Sequence, residues 1–131
     1  MMINVITSVD GKEALEKIGR RLLEKKLVAC LQMIGPVRSV YWWKGRLEEA
    51  EEWIGVMKTR RELYGEVEKE IRALHPYETP QIEAIEAVSV LPAYEGWLID
   101  ETSSAKTGSE CLRRGLPARD LKRRKKQGKE A

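Results

Sequence analysis

Residues 27–59, LVACLQMIGPVRSVYWWKGRLEEAEEWIGVMKT, decide the fold of this chain. Residues 27–34 are a continuous apolar run typical of a strand, and Gly35-Pro36 interrupts this run as a kink or bulge before residues 37–43 continue as strand. Lys44-Gly45 predicts a tight turn, after which residues 46–59 return as a second long strand with an apolar second half. The stretch therefore predicts a long, bent β-hairpin.

Five further elements flank this hairpin. Hydrophobic periodicity predicts a strand, a helix, a second helix, a strand and a short final helix, over residues 2–7, 11–26, 61–74, 81–90 and from Pro92 onward. Asp10 and Glu13 have the spacing of a capping box, which predicts that Asp10 caps the first helix. His75-Pro76 ends the second helix, because the residue before a proline is pushed out of the helical region.

The order of elements, β-α-β-β-α-β with a C-terminal helix, predicts an α+β fold of the ferredoxin-like sandwich type. Both long helices would cover one face of a four-stranded antiparallel sheet. The strands are apolar on both sides, so the second face also needs a cover, and no remaining element is large enough to provide it. Association between copies of the chain is the simplest cover.

The charge distribution divides the 131 residues into one domain, residues 1–102, and a basic C-terminal extension, residues 103–131. Residues 1–105 carry 14 basic and 18 acidic side chains, whereas residues 106–131 carry 10 basic and 3 acidic ones. We interpret the extension as a solvated tail, with binding of nucleic acid or anionic lipid through its basic run at 122–126 as the alternative. No aromatic residue follows Trp97, so the tail cannot stack on bases.

Several protein classes are disfavoured by what the sequence lacks. No apolar run approaches the ~18–20 residues of a membrane span, and the N-terminus has neither a basic region nor a long apolar region of a signal peptide. The two cysteines, Cys30 and Cys111, are expected to be free thiols, so we expect a cytoplasmic protein that does not enter a membrane. No nucleophile elbow, phosphate-binding glycine loop or metalloprotease motif is present, so we do not expect an enzyme.

Two side chains are candidate metal ligands. His75, the only histidine, is either a helix C-terminal residue bonded to nearby carbonyls or a ligand held in the stiff loop 75–80, which contains two prolines. Cys30 is either a small buried thiol or a ligand that meets His75 across the sheet or across a subunit interface. The sequence alone leaves both alternatives open.

A set of motifs, taken together, resembles the CutA family of divalent-cation tolerance proteins. These motifs lie in order between about residues 3 and 101, at residues 27–31, 38–46, 57–60 and 75–80 and at Tyr94-x-x-Trp97. The resemblance implies a ferredoxin-like protomer assembled as a tight homotrimer, in which the long hairpins exchange strand contacts between neighbours.

The resemblance also implies copper tolerance and the binding of copper or another divalent metal. Metal-binding members place ligands at positions that correspond here to Thr7, Leu74 and His75, of which only His75 is a conventional ligand. Cys30 matches the family's Ala-Cys element. We therefore expect a homotrimer that binds copper or another divalent metal ion through His75, with Cys30, Glu78 or a neighbouring chain.

The alternative is a signalling module similar to the trimeric nitrogen-regulatory PII proteins, which bind small anions or nucleotides in clefts between subunits. Arg38, Lys58 and Arg60 would then face phosphate or carboxylate. The candidate residues of such an intersubunit cleft are Tyr41, Trp43, Lys58 and Tyr77.

Overall fold

The computed structural model describes residues 1–103, so the predicted basic extension beyond that point, with Cys111, lies outside the described residues. In chain order the elements are β1 (Met2–Val9), α1 (Lys12–Glu24), β2 (Cys30–Trp43), β3 (Arg46–Arg60), a single 3-10 turn (Arg61–Leu63), α2 (Tyr64–Leu74), β4 (Ile82–Glu86) and α3 (Pro92–Glu101). This order confirms the predicted ferredoxin-like α+β fold. Within residues 1–103, no helix is long and apolar enough to cross a membrane.

The four strands form one antiparallel sheet in the order β2-β3-β1-β4, with β3 in a central position, as its apolar second half favours. β1 pairs with β3 only as far as Val9, which lies opposite Trp53. The remainder of the hairpin, residues 37–52, therefore extends beyond the four-stranded sheet as a two-stranded ribbon.

Both long helices pack on one face of the sheet, as predicted. The buried core between the layers consists of Ile3, Val5, Ile18, Leu22, Val28, Met57, Val67 and Ile71. Its side chains on α1 recur at three- and four-residue spacing, which keeps them on one face of the helix. Gly19 also lies on this face, and the position suits a glycine because the side chain of Leu31 fills the space that a β-carbon would need.

The second face is only partly open, so the expectation that no element covers it was wrong. α3 packs its Trp97 and Leu98 on this face against Met2, with Cys30 partly buried at the edge of the cluster. The rest of the face stays apolar and uncovered, as shown by Ile34 and Ile85, which are 52% and 51% exposed.

Two local predictions were also wrong. α1 begins at Lys12 with Gly11 as its N-cap and no side-chain cap, so Asp10 lies one position too early to cap it. β4 ends at Glu86, although its strand-like composition continues to Val90. Ala87 still donates its backbone N–H to the carbonyl of Met2 in β1, and beyond it the chain leaves the sheet, with Val90 packed against the α3 cluster.

Candidate functional site

A cleft of about 480 Å³ lies where the ribbon leaves the sheet. Its walls come from the end of β1, the hairpin and the loop between α2 and β4. The lining residues are Ser8, Ser39, Tyr41, Trp43, Glu52, Tyr77, Glu78, Thr79 and Gln81. The cleft thus combines three aromatic rings with two carboxylates, and no basic side chain within residues 1–103 lines it.

A β-bulge in β2 aims the hairpin side chains into this cleft. Ile34 lies opposite Ile54 and Val37 opposite Glu52, so β2 advances three residues while β3 advances two. The extra residue at Gly35-Pro36 reverses the alternation of faces along β2. Odd-numbered residues beyond the bulge, among them the cleft residues Tyr41 and Trp43, therefore lie on the same face as Ile34.

His75 fixes the loop that forms the opposite wall. Its ring is buried, with 8% of the residue exposed. Nε2 lies 2.8 Å from the carbonyl oxygen of Ser8 and donates to it, while Nδ1 accepts from the backbone N–H of Tyr77 at 3.1 Å. The Tyr77 ring also packs edge-on against the His75 ring, with the ring centroids 4.7 Å apart. His75 therefore ties the end of α2 to β1 and orients Tyr77.

Tyr77 in turn bonds to the hairpin. Its hydroxyl donates to Oε2 of Glu52 at 2.7 Å. Burial, followed by the hydrogen bond to Glu52, raises the pKa of the Tyr77 phenol above its ordinary value. The phenol therefore keeps its proton and remains a donor to the Glu52 carboxylate.

The three predicted metal ligands do not meet within one chain. Neither ring nitrogen of His75 offers a free lone pair, because one donates and the other accepts a hydrogen bond. Cys30 lies opposite Lys58 of β3, which in turn lies opposite Asn4 of β1, so Cys30 is two strands away from Asn4. Asn4 is four residues from Ser8, about 13 Å along β1 at the usual strand rise. Glu78 is exposed in the cleft.

No alternative metal centre is present in the described part of the chain. Across residues 1–103, no three or more histidine, cysteine, aspartate or glutamate side chains are grouped so that they could hold a metal ion. Of the positions that the resemblance implied, Thr7 is fully buried and the hydroxyl oxygen of its side chain has no hydrogen-bond partner among the described residues, while Leu74 is exposed at the end of α2. A site with three or more such ligands would therefore need at least one from outside residues 1–103 of the same chain.

Of the four predicted cleft residues, Tyr41, Trp43 and Tyr77 line the cleft. Lys58 does not, because its ammonium group donates to Oδ1 of Asn4 at 2.8 Å, further along the sheet.

The other basic residues proposed for anion binding are also engaged elsewhere. Arg38 pairs with Glu49 at 2.7 Å, and Arg60 donates to the side chain and the carbonyl of Thr102. The cleft of one chain is therefore suited to a cation rather than an anion.

Sequence reasoning missed Glu52, which is the most buried carboxylate of the cleft, with 6% of the residue exposed. Glu52 belongs to the acidic run at 48–52, whose composition is typical of a solvent-exposed strand. The two-residue period of the strand was the available signal, because it places Glu52 on the same face as Ile54 and Val56.

Comparison with known proteins agrees with this architecture. Residues 3–101 match the family described as CutA1 divalent ion tolerance protein. The divalent-cation tolerance protein CutA of Thermotoga maritima is 43% identical over 97 residues, which are 74% of this chain and 95% of that protein. The protein of the same name from Archaeoglobus fulgidus is 46% identical over 97 residues, which are 74% of this chain and 92% of that protein.

A solved structure shows the same fold. The structure described as the periplasmic divalent cation tolerance protein CutA from Archaeoglobus fulgidus has a TM-score of 0.77 and 37% sequence identity, and the match covers 79% of this chain and 100% of that one. Fold and matches together define a ferredoxin-like protein of the divalent-cation tolerance class. The chain belongs to the CutA family. The names of these relatives describe tolerance to cations and not an enzyme activity.

Proposed function

We propose that this protein acts as a homotrimer that binds divalent metal ions, copper among them, in the cleft, with Glu78 as one ligand and a neighbouring chain supplying others. The observation that carries the proposal is the acidic lining of the cleft: Glu52 and Glu78 face it and no basic side chain within residues 1–103 does. Carboxylate oxygens are ligands for divalent cations. Residues 1–103 of one chain do not group three or more such ligands, which is consistent with a site that a second chain completes.

The uncovered apolar surface supports self-association. The face that carries Ile34 and Ile85 is more than half exposed at both residues. Exposed apolar side chains grouped on one surface are typical of protein–protein contact sites.

The ribbon supports the same conclusion. Its side chains Trp42 and Leu47 lie opposite each other and are 72% and 61% exposed. An isolated two-stranded ribbon is marginally stable at best in water. A ribbon that packs on a different surface of the next copy makes a heterologous contact, which gives a ring when the rotation between copies closes. The number of copies, three, follows from the resemblance to the CutA family.

Within this proposal His75 positions the site rather than ligating the metal. It holds Ser8 and Tyr77 with its two nitrogens and so sets the path of the loop that presents Glu78. Ligation by His75 would require one of these two bonds to break. The remaining predicted ligand, Cys30, lies under α3, away from the cleft of its own chain.

The test is a calorimetric titration of the metal-free protein with copper(II), zinc and manganese(II). Glu78→Gln removes the ligand charge with little change in shape, and we expect it to weaken metal binding at least about tenfold, a loss of about 1.4 kcal/mol. Glu24→Gln, an equal change of charge at the end of α1, is the matched control and should bind as the wild type does. Equal affinity in all three proteins would overturn the assignment of Glu78.

A further inference from the structure

We call Glu52 together with the rings of Tyr41, Trp43 and Tyr77 the inner cleft, and it differs chemically from the part lined by the exposed Glu78. Glu52 is buried there, and the rings of Tyr41, Trp43 and Tyr77 surround the same space. A volume of about 480 Å³ lies within the usual range for small-molecule sites, which is roughly 300–1,000 Å³. The space is thus large enough for an organic molecule and much larger than a bare metal ion requires.

The buried carboxylate has a hydrogen-bond donor but no counter-charge among residues 1–103. The Tyr77 hydroxyl bonds to Oε2 of Glu52, and no lysine, arginine or histidine within residues 1–103 forms an ion pair with this carboxylate. Burial of a carboxylate without a compensating cation is costly. A positively charged group that enters the cleft would supply the missing charge.

The aromatic rings favour the same sign of charge. The face of an aromatic ring attracts cations through its quadrupole, most strongly for tryptophan. Trp43 already does so in this chain, because the ammonium nitrogen of Lys44 lies 5.5 Å from the centroid of its ring. Lys44 is not among the residues that line the cleft, so it leaves the inner space open to another cation.

We propose that the inner cleft binds an organic cation, an ammonium or guanidinium ion on a small apolar body, with the charged group at Glu52 and the apolar body against Tyr41 and Trp43. The chemistry distinguishes this ligand from a metal ion, because aromatic rings are not ligands of divalent cations but do bind organic cations. The inference goes beyond the proposed function, since it depends on Glu52 and the rings, whereas metal binding is assigned to Glu78.

The probe is 2-phenylethylammonium, compared by calorimetry with the neutral 2-phenylethanol and the anionic 3-phenylpropanoate. We expect the ammonium ion to bind at least about tenfold more tightly than the alcohol, since only the cation gains the charge interaction, and the anion to give no measurable heat. An alcohol that binds as well as the ammonium ion, or an anion that binds better, would overturn the proposal.

The variants locate the binding. Glu52→Gln keeps the shape of the side chain and an acceptor for Tyr77, and we expect a loss of about tenfold in affinity for the ammonium ion. Glu51→Gln is the matched control: this exposed neighbour lies opposite Arg38, on the other face of the ribbon, and should leave the affinity unchanged. Equal affinity in the Glu52 variant and the wild type would contradict the inference.

A second variant and the metal titration keep the outcomes separate. Trp43→Leu retains every cleft carboxylate and should weaken ammonium binding while copper binding stays as in the wild type. Ammonium binding that survives in Glu78→Gln would leave this inference standing even if the metal assignment fails. Trp43→Leu with unchanged ammonium affinity would remove the aromatic part of the proposal.

Discussion

The hydroxyl of Tyr77 donates a 2.7 Å hydrogen bond to the carboxylate of Glu52, and this bond joins two walls of the candidate cleft. It joins the loop after α2 to the base of the hairpin, 25 residues apart in the chain. Because His75 holds the backbone N–H of Tyr77, the three side chains form one connected support for the cleft. Each prediction below tests a part of that support or of the surface around it.

Tyr77 should ionise at a higher pH than an ordinary tyrosine, because burial and Glu52 raise its pKa above 10.0. A raised pKa in the folded state means that the stabilisation is complete below pH 10.0 and is lost as the pH rises through the folded pKa. Spectrophotometric titration of phenolate absorbance, wild type minus Tyr77→Phe, should give a difference curve with a midpoint above 10.0. A midpoint at or below that value would contradict the buried hydrogen bond.

Copper bound to the protein should show oxygen coordination at the cleft, because both nitrogens of His75 are already engaged. Electron paramagnetic resonance of the copper(II) complex is therefore expected to show no splitting from a histidine nitrogen in either wild type or His75→Ala. The substitution should nevertheless lower the free energy of unfolding by about 1–3 kcal/mol, since it leaves the Ser8 carbonyl without its donor. Nitrogen splitting that disappears in His75→Ala would instead make His75 a ligand.

The contact between α1 and β3 depends on a missing side chain. A β-carbon at Gly55 would lie 2.6 Å from Cδ1 of Leu15, which is fully buried and has no room to move. Gly55→Ala should lower the free energy of unfolding by about 1–3 kcal/mol through overpacking. Gly96→Ala is the control, because nothing lies within 4 Å of the new β-carbon, and it should raise stability by about 0.5–1 kcal/mol in α3. Chemical denaturation should show a lower free energy of unfolding for Gly55→Ala and a higher one for Gly96→Ala.

Self-association should depend on the open sheet face. Ile34→Lys places a charge on that face, on the edge strand β2, and we expect light scattering to give a mass near that of one 15.0 kDa chain. Leu23→Lys, on the helix side of the sheet, is the matched control and should keep the wild-type mass, three times that of one chain. A variant Ile34→Lys that remains trimeric would place the interface elsewhere.

The sequence predicted the architecture well because strong local signals determine it. The hairpin, the break at Gly35-Pro36 and the apolar stripes of both helices all follow from periodicity and turn residues. The errors arose where tertiary packing overrides composition. Residues 88–90 have the composition of a strand, yet they lie off the sheet, with Val90 packed against the α3 cluster.

The site was harder to predict, because its key contacts join distant segments. Tyr41, Trp43 and Tyr77 were named as residues of an intersubunit cleft, and they line a cleft within one chain. Glu52 was missed, because its place in the acidic run outweighed the strand period, and the structure shows it buried and bonded to Tyr77. For His75, the sequence left both a bonded helix end and a metal ligand open, and only the structure shows that both nitrogens are bonded.

The central claim is that three copies together complete a divalent-cation site, and native mass spectrometry of the metal-free protein titrated with copper(II) tests it most directly. We predict a trimer that takes up copper, while the Ile34→Lys protein, dissociated to single chains, takes up none at the same copper concentration. Single chains that load copper as readily as the trimer, or a trimer that takes up no copper, would contradict the account.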